Sequence, residues 1–489
     1  MRHLALVLLL SLTACGSKAP TPAASAPPAP SGPTFSPASF ALVHATVVDV
    51  AHGTALPERT VVVDGDRIAA VTDEAPAGVR TVEARGKFVI PGLWDMHVHM
   101  NDPVAPRLFV ANGVTAVRVM WGNPDFGGQK NRRHFDMRDA FDKKESLGPR
   151  MVVASQILDG PKPFWPGSTA VSTPEQGRRV VDEEKKNGAD FIKVYSELPR
   201  DVYFAIAEES KKENIPFAGH VPMLVTAGEA SDAGQKSIEH LTGMLSSTSS
   251  HEAAMRKKAA QYEKRSAAER YKLFLAQLGE AVDTYDAEKA KSLFAKFVTN
   301  GTWQCPTLIE EYGHASQDDT SRAKDPRLEY VSGFVKEMWT PRQAPGSKGF
   351  TKADHALFRR AFDKKVAMVG AMHAAGVSLL AGSDEMNPYC FAGSGLHDEL
   401  AWLVKAGLTP ADALRAATTN PARFLGRENE LGEVAEGKVG DLVVLDENPL
   451  ADIENIRKIH AVISRGTLYD RAELDKILAS VKEDAKKHD

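Results

Sequence analysis

His97 and His99 stand one residue apart in Pro91-Gly92-Leu93-Trp94-Asp95-Met96-His97-Val98-His99. A β-strand throws alternate side chains onto one face, so both imidazoles reach the same side. At the mouth of a barrel strand that spacing lets two nitrogens converge on one metal ion, with Met96 and Val98 pointing the other way into an apolar layer. Further donors end other apolar runs: Lys193 after Phe191-Ile192, His220 after Phe217-Ala218-Gly219, His240 after Ser237-Ile238-Glu239, and Asp384 after Ala381-Gly382-Ser383. Singly, each is an ordinary core, surface or turn residue. Their shared place at strand ends makes them a candidate ring of ligands.

The elements that must position such a ring can be read from the apolar runs. They end near His99 and continue at Val114 to Met120, Met151 to Ile157, Phe191 to Tyr195, Pro216 to His220, Ser237 to His240, Thr302 to Leu308 and Val377 to Asp384. Most are followed by amphipathic stretches, such as the helix opened by Thr173-Pro174-Glu175-Gln176 with a cap and a first-turn proline. Eight strands alternating with helices predict a closed (β/α)₈ TIM barrel over 89–428, about 340 residues against a typical ~250. The surplus falls in a charged, Ala-rich helical stretch, 244–300, and a polar one, 311–350. Thr409-Pro410-Ala411-Asp412 caps a last helix ending near Gly426. Short β-branched runs at both ends, with an Asp64-Gly65 hairpin signal, predict a small β-sandwich from 39–88 and 429–480.

The amino terminus carries a separate message. Met1-Arg2-His3, the apolar run Leu4 to Leu12 and Leu12-Thr13-Ala14-Cys15 have the charged head, greasy middle and small-residue site of a secretory signal. The arrangement resembles a bacterial lipoprotein signal: residues 1–14 are removed, Cys15 takes the lipid, and the Pro/Ala/Ser-rich stretch 15–38 holds the domain off a membrane. The expectation is an exported lipoprotein facing periplasm or exterior. Beyond Cys15 only Cys305 and Cys390 remain, so no cysteine framework supports the fold; Cys305 reads as a small buried hydrophobe, Cys390 as free or paired. With 43% hydrophobic residues, 25% charged and a net charge of −4, the chain has no broad basic field for nucleic acid. Its expected partner is a small-molecule substrate, and assembly with copies of itself is compatible with the sequence.

Taken together, these residues resemble the amidohydrolase superfamily, within it the binuclear members similar to imidazolonepropionase-related Xaa-Pro dipeptidases. The likeness covers roughly residues 40 to 470 and includes Gly382-Ser383-Asp384, Asn420-Pro421-Ala422-Arg423 and Gly437-Lys438-Val439-Gly440-Asp441-Leu442. It implies His97, His99 and Asp384 on a buried metal, His220 and His240 on an outer one, and a carboxylated Lys193 bridging both. A desolvated lysine can take up CO₂ and become an anionic carbamate with an oxygen for each metal. Mononuclear deaminases of the superfamily tend to carry a glutamate two places after the fifth-strand histidine, where this chain has Pro222.

The implied chemistry is hydrolysis of an amide C–N bond, in a dipeptide or N-acyl amino acid, by a hydroxide bridging two divalent ions, with zinc the best match to the donors. Asp384 is placed to move the proton from nucleophile to leaving nitrogen. Asp95, two before His97, faces inward to orient a ligand imidazole. Tyr195, two after Lys193, stabilises the oxyanion or holds substrate, and Arg118 either binds a substrate carboxylate or is an ion-paired structural arginine. Where the dipeptidase-like relatives carry Gly-Gly-His-Gly, this chain has Asp159-Gly160-Pro161-Lys162-Pro163-Phe164-Trp165. Lactones or phosphoesters are alternative substrates for the same site, and a binding lipoprotein on a retired barrel is the non-enzymatic alternative.

Overall fold

Runs of Val, Ile and Ala too short to bury themselves assemble into two sheets, in a computed structural model that describes residues 35–122, 133–260, 266–339 and 350–487. The signal segment, Cys15 and nearly all of the 15–38 linker lie outside the described residues. Among the described residues no helix is long and apolar enough to cross a membrane.

The larger sheet is a nearly closed barrel of parallel strands, each hydrogen-bonded to the next. In order they are Leu93–Val98, Val114–Val119, Arg150–Asp159, Phe191–Val194, Phe217–Gly219, Ser237–Glu239 and Trp303–Cys305. An eighth, extended segment closes the circle through two isolated bridges, Leu379 to Gln304 and Glu385 to Val98. Leu380 N donates to Gln304 O (2.9 Å), Met96 N to Ala381 O (2.9 Å) and Asp384 N to His97 O (2.8 Å). The expected eighth strand is thus present as a closing segment, and its chemistry explains its irregularity. At Gly382 a Cβ would sit 2.7 Å from Cys305 Sγ and 2.8 Å from His97 Cβ, and Asp384 takes a left-handed φ of 53°. The backbone leaves ladder geometry where it crosses the site.

The first strand also departs from strict alternation. Its pairing with the second shifts register between Asp95 and Val98. Met96 therefore packs with Trp94, Trp303, Cys305 and Leu380, whereas Val98 joins the large core shared with the helices. The expected single apolar layer behind the histidines is two clusters.

Thr173 caps its helix as its type and position require, accepting from Gln176 N. The stretch after the sixth strand folds as helices Met244–Ser247, Glu252–Ala259, Ala267–Asp283 and Ala287–Asn300. The helix expected to run to Gly426 is broken into Pro410–Ala416 and Thr419–Leu425, with Gly426 left-handed at its end.

Strands from both ends of the chain share the second, mostly antiparallel sheet, with Leu442–Leu445 beside Phe88–Pro91. Phe40, Leu42, Val61, Ile68, Leu442 and Ile463 form its own apolar cluster. The hairpin turn closes back on the segment before Leu442, since Ile68 N donates to Lys438 O and Gly440 N to Asp66 O, both at 2.8 Å.

The tight crossing at Gly382 makes a stability prediction. Gly382→Ala should lower the unfolding free energy by about 1–3 kcal/mol, because neither Cys305 nor the His97 backbone can retreat. Urea denaturation measures this, and an unchanged midpoint would contradict the crossing described here.

Candidate metal centre

The barrel brings His97, His99, Lys193, His220, His240 and Asp384 to one end, and the fine placement of the imidazoles comes from hydrogen bonds behind them. His97 Nδ1 donates to Glu239 Oε2 at 2.8 Å, which leaves Nε2 with its lone pair forward. His220 Nδ1 bonds Ser196 Oγ (2.8 Å) and His240 Nδ1 bonds Thr307 Oγ1 (2.7 Å), which hold those two rings in place as well. The ring centroids of His97 and His240 are 4.4 Å apart, those of His220 and His240 4.9 Å, and those of His97 and His99 5.6 Å.

Asp384 faces this array. Its Oδ1 is 3.0 Å from His99 Nε2 and 3.3 Å from His97 Nε2, and its Oδ2 is 3.6 Å from His240 Nδ1. None of these contacts relieves His97 Nε2 or Asp384 Oδ1. Both are buried with no hydrogen-bond partner among the described residues, as is Lys193 Nζ. Buried polar atoms ordinarily have partners, and two lone pairs pressed together repel unless a cation lies among them. The residues present therefore fit a divalent metal. His97, His99 and Asp384 offer donor atoms within 4.8 Å of one another, and Glu310 brings a second carboxylate within the same reach of His240 and Asp384.

Electrostatics agree with the geometry. Burial, and after it the positive charge of neighbours, holds His97, His220 and His240 well below the ordinary imidazole value, so they are neutral ligands at neutral pH. Burial pushes Lys193 down to about 8, against the pull of Glu239 and Asp384. The backbone is bent for the site as well: His240, Thr307 and Asp384 all take left-handed φ values, of 56°, 45° and 53°. Non-glycine residues hold that conformation at a cost, and such residues gather at functional sites.

Asp95 departs from its expected role, and the two alternatives for Arg118 resolve to one. Asp95 touches no imidazole: Ser383 N (2.9 Å), Ser383 Oγ (2.6 Å) and His97 N (3.2 Å) donate to it. Because of the register shift its carboxylate ties the backbone of the first strand to the closing segment, and burial raises it to about 7. Arg118 is the structural arginine. It is fully buried, gives both Nη2 contacts to Glu239 (3.0 and 2.8 Å), and donates through Nε to Met96 O. A substrate carboxylate has no access to it.

The partner that orients His97 is therefore Glu239, which the sequence reading passed over. The signal was a buried-strand glutamate with Arg118 on another strand to neutralise it. Tyr195 stacks on His220 with centroids 3.9 Å apart, and its hydroxyl accepts from Trp165 Nε1 at 2.8 Å. Burial raises the Tyr195 phenol, which keeps it protonated. Cys305 and Cys390 are both buried and unpaired with each other; burial raises each thiol well above its ordinary value, so neither is a thiolate nucleophile.

Residues 88–469 match the family model described as Amidohydrolase family. Among solved structures the chain is similar to the bottromycin amidohydrolase (TM-score 0.73, 24% identity, 92% of this chain and 91% of that one). It is also similar to a Xaa-Pro dipeptidase with bound methionine in the active site (TM-score 0.62, 18% identity, 88% and 100%). Among curated proteins, ochratoxinase of Aspergillus niger is 28% identical over 157 residues, 32% of this chain and 31% of that protein. Imidazolonepropionase of Brevibacillus brevis is 28% identical over 171 residues, 33% and 35%. The chain thus spans about a third of the length of the curated relatives it matches.

If Glu239 sets the His97 ring, Glu239→Gln should weaken metal binding by about 10–100-fold, since it removes the charge but keeps the shape. Chelator competition on the purified protein measures the change, and an unaltered affinity would remove Glu239 from the site.

Proposed function

This chain belongs to the amidohydrolase family, and from that premise we propose that it is a metal-dependent hydrolase cleaving an amide C–N bond in a dipeptide-like or N-acyl amino acid substrate. The observation that carries the reading is the approach of Asp384 Oδ1 to the Nε2 atoms of His97 and His99, with His97 Nε2, Asp384 Oδ1 and Lys193 Nζ buried without a hydrogen-bond partner among the described residues. In this reading His97, His99 and Asp384 would hold one divalent ion and His220 and His240 a second, with Lys193, as a carbamate, supplying a further anionic donor. Two such ions, zinc by donor type, supply an activated water and a Lewis acid for the scissile carbonyl.

The protein's own groups do the rest. Asp384 accepts the proton of the attacking water and delivers it to the leaving nitrogen, a task suited to a carboxylate at the centre of the ring. Tyr195 accepts from Trp165, so its own proton is free for the oxyanion that forms on the carbonyl. Lys193 must be neutral to take up CO₂. With its ammonium lowered to about 8 it is roughly one-tenth neutral at pH 7 and half neutral at pH 8.

The test is a side-by-side assay of zinc-loaded protein against dipeptides, N-acyl amino acids, lactones and phosphoesters, with elemental analysis of metal. Turnover confined to lactones or phosphoesters would end the amidase reading, and protein without metal or turnover would favour a binder. Lys193→Ala should lose metal and activity together. Metal uptake by wild-type apoprotein should quicken as pH rises from 7 to 8 and as bicarbonate is added. Tyr195→Phe should lower kcat by about 10²–10³-fold if it binds the oxyanion.

The same proposal places the enzyme outside the cytoplasm on a lipid anchor at Cys15, supported by the apolar run Leu4 to Leu12 and the small residues before the cysteine. Full-length protein expressed in bacteria should fractionate with membranes and Cys15→Ser should not; identical fractionation would dispose of the anchor.

A further inference from the structure

Among the described residues large apolar side chains are exposed at few places, and half of them gather in one place. Of the eight left exposed among the described residues, Phe164, Trp165, Phe274 and Phe350 surround the opening beside Tyr195. Phe164 and Trp165 pack edge to face, 5.1 Å between centroids, on the loop after the third barrel strand. Phe274 comes from the helix Ala267–Asp283, and Phe350 precedes the helix Lys352–Ala374.

Two cavities meet there. The inner one, about 420 Å³, starts at Tyr195 and Ser196, which contact His220, and is walled by Val221, Met223, Leu241 and Met255. The outer one, about 760 Å³, is walled by Tyr271, Phe350, Phe358 and Phe362. They share Phe164, Phe274 and Leu278, along with Glu197 and Lys365. The shared cation is already engaged: Lys365 pairs with Glu311 and donates to His240 O (3.3 Å). Within the outer cavity the Tyr271 hydroxyl is buried with no hydrogen-bond partner among the described residues. Volumes of this order accommodate a drug-sized group, and an apolar lining with a few polar atoms is the usual composition of a ligand pocket.

Resting on the hydrolase reading above, we infer that the substrate carries a bulky aromatic arm, and that this arm lies in the cleft between the third-strand loop and the inserted helices. The arm covers Phe164 and Phe274 and reaches Tyr271, while the scissile amide sits at the ring of histidines. Small dipeptides leave the cleft wet and are poor substrates. A patch of exposed aromatics of this kind marks a binding site more often than it marks idle surface.

The test uses the metal-loaded full chain and two exposed-residue variants, Phe274→Ser and Phe350→Ser. Wild type should favour Phe-Phe over Ala-Ala in kcat/KM by about 100-fold, the scale set by a filled apolar pocket. Each variant should lower that ratio at least tenfold while Ala-Ala turnover and the thermal midpoint stay put. Anilinonaphthalene sulfonate, an apolar fluorescent probe that is not hydrolysed, should bind wild type and bind both variants at least tenfold more weakly. Selectivity that survives the substitutions, or a probe that binds them as tightly as wild type, overturns the inference. Probe binding that the variants weaken, with neither the dipeptides nor a panel of N-acyl amino acids cleaved, overturns the amidase reading and leaves the aromatic cleft standing.

Discussion

Two imidazole nitrogens lie 3.0 and 3.3 Å from one carboxylate oxygen, His97 Nε2 and Asp384 Oδ1 being buried without a hydrogen-bond partner among the described residues, and most of the surrounding structure follows from what that requires. A proton on either histidine would relieve the repulsion at His97 or His99, but burial disfavours the charged ring at His97. A cation relieves it better, because one ion serves all three atoms at once. For that to work the rings must not rotate, and His97, His220 and His240 are each held through Nδ1. Glu239, Ser196 and Thr307 do the pinning.

Pinning His97 with a buried carboxylate raises a second problem, which Arg118 solves. An unpaired Glu239 in the barrel interior would be costly. The guanidinium beneath it supplies both charge and geometry, while Ser237 and Met96 O take up other polar positions around the pair. The layer under the metal centre is therefore polar by necessity, in the part of a barrel where branched apolar residues usually dominate.

The gathering of the candidate ligands at one end of the barrel was legible in the sequence because strand periodicity constrains it. A histidine or aspartate that ends an apolar run has only one end of the barrel to occupy, and His97, His99, His220, His240 and Asp384 all obey. Glu239 was not legible, since its neighbour His240 carried the more obvious chemistry and its significance depends on Arg118 across the barrel. Asp95 misled for a related reason. Its spacing from His97 is correct for a shared face, but the register shift after it turns the carboxylate toward Ser383. The irregular eighth segment could be placed in sequence but not in shape, because its departure from a ladder arises from Gly382 meeting Cys305 and His97, a contact between residues 77 and 285 positions away.

Lysine at the centre also makes sense as a charge balance. With Lys193 as an ammonium, Glu239 offset by Arg118, and Glu310 paired with His314, whose imidazole that carboxylate raises to about 9, Asp384 and Lys193 cancel, and the pocket holds no net charge. Uptake of CO₂ would change the lysine from +1 to −1, so the same pocket would become doubly negative without any side chain moving far. In that state it would attract two dications more strongly. A glutamate at position 193 would keep the negative charge permanently, and the metal-free barrel would then have to fold around uncompensated buried carboxylates. On the proposed reading, a lysine would let the chain fold first and acquire its charge afterwards, which would be a physical reason for a group that is hard to bury to stand at the middle of a buried site.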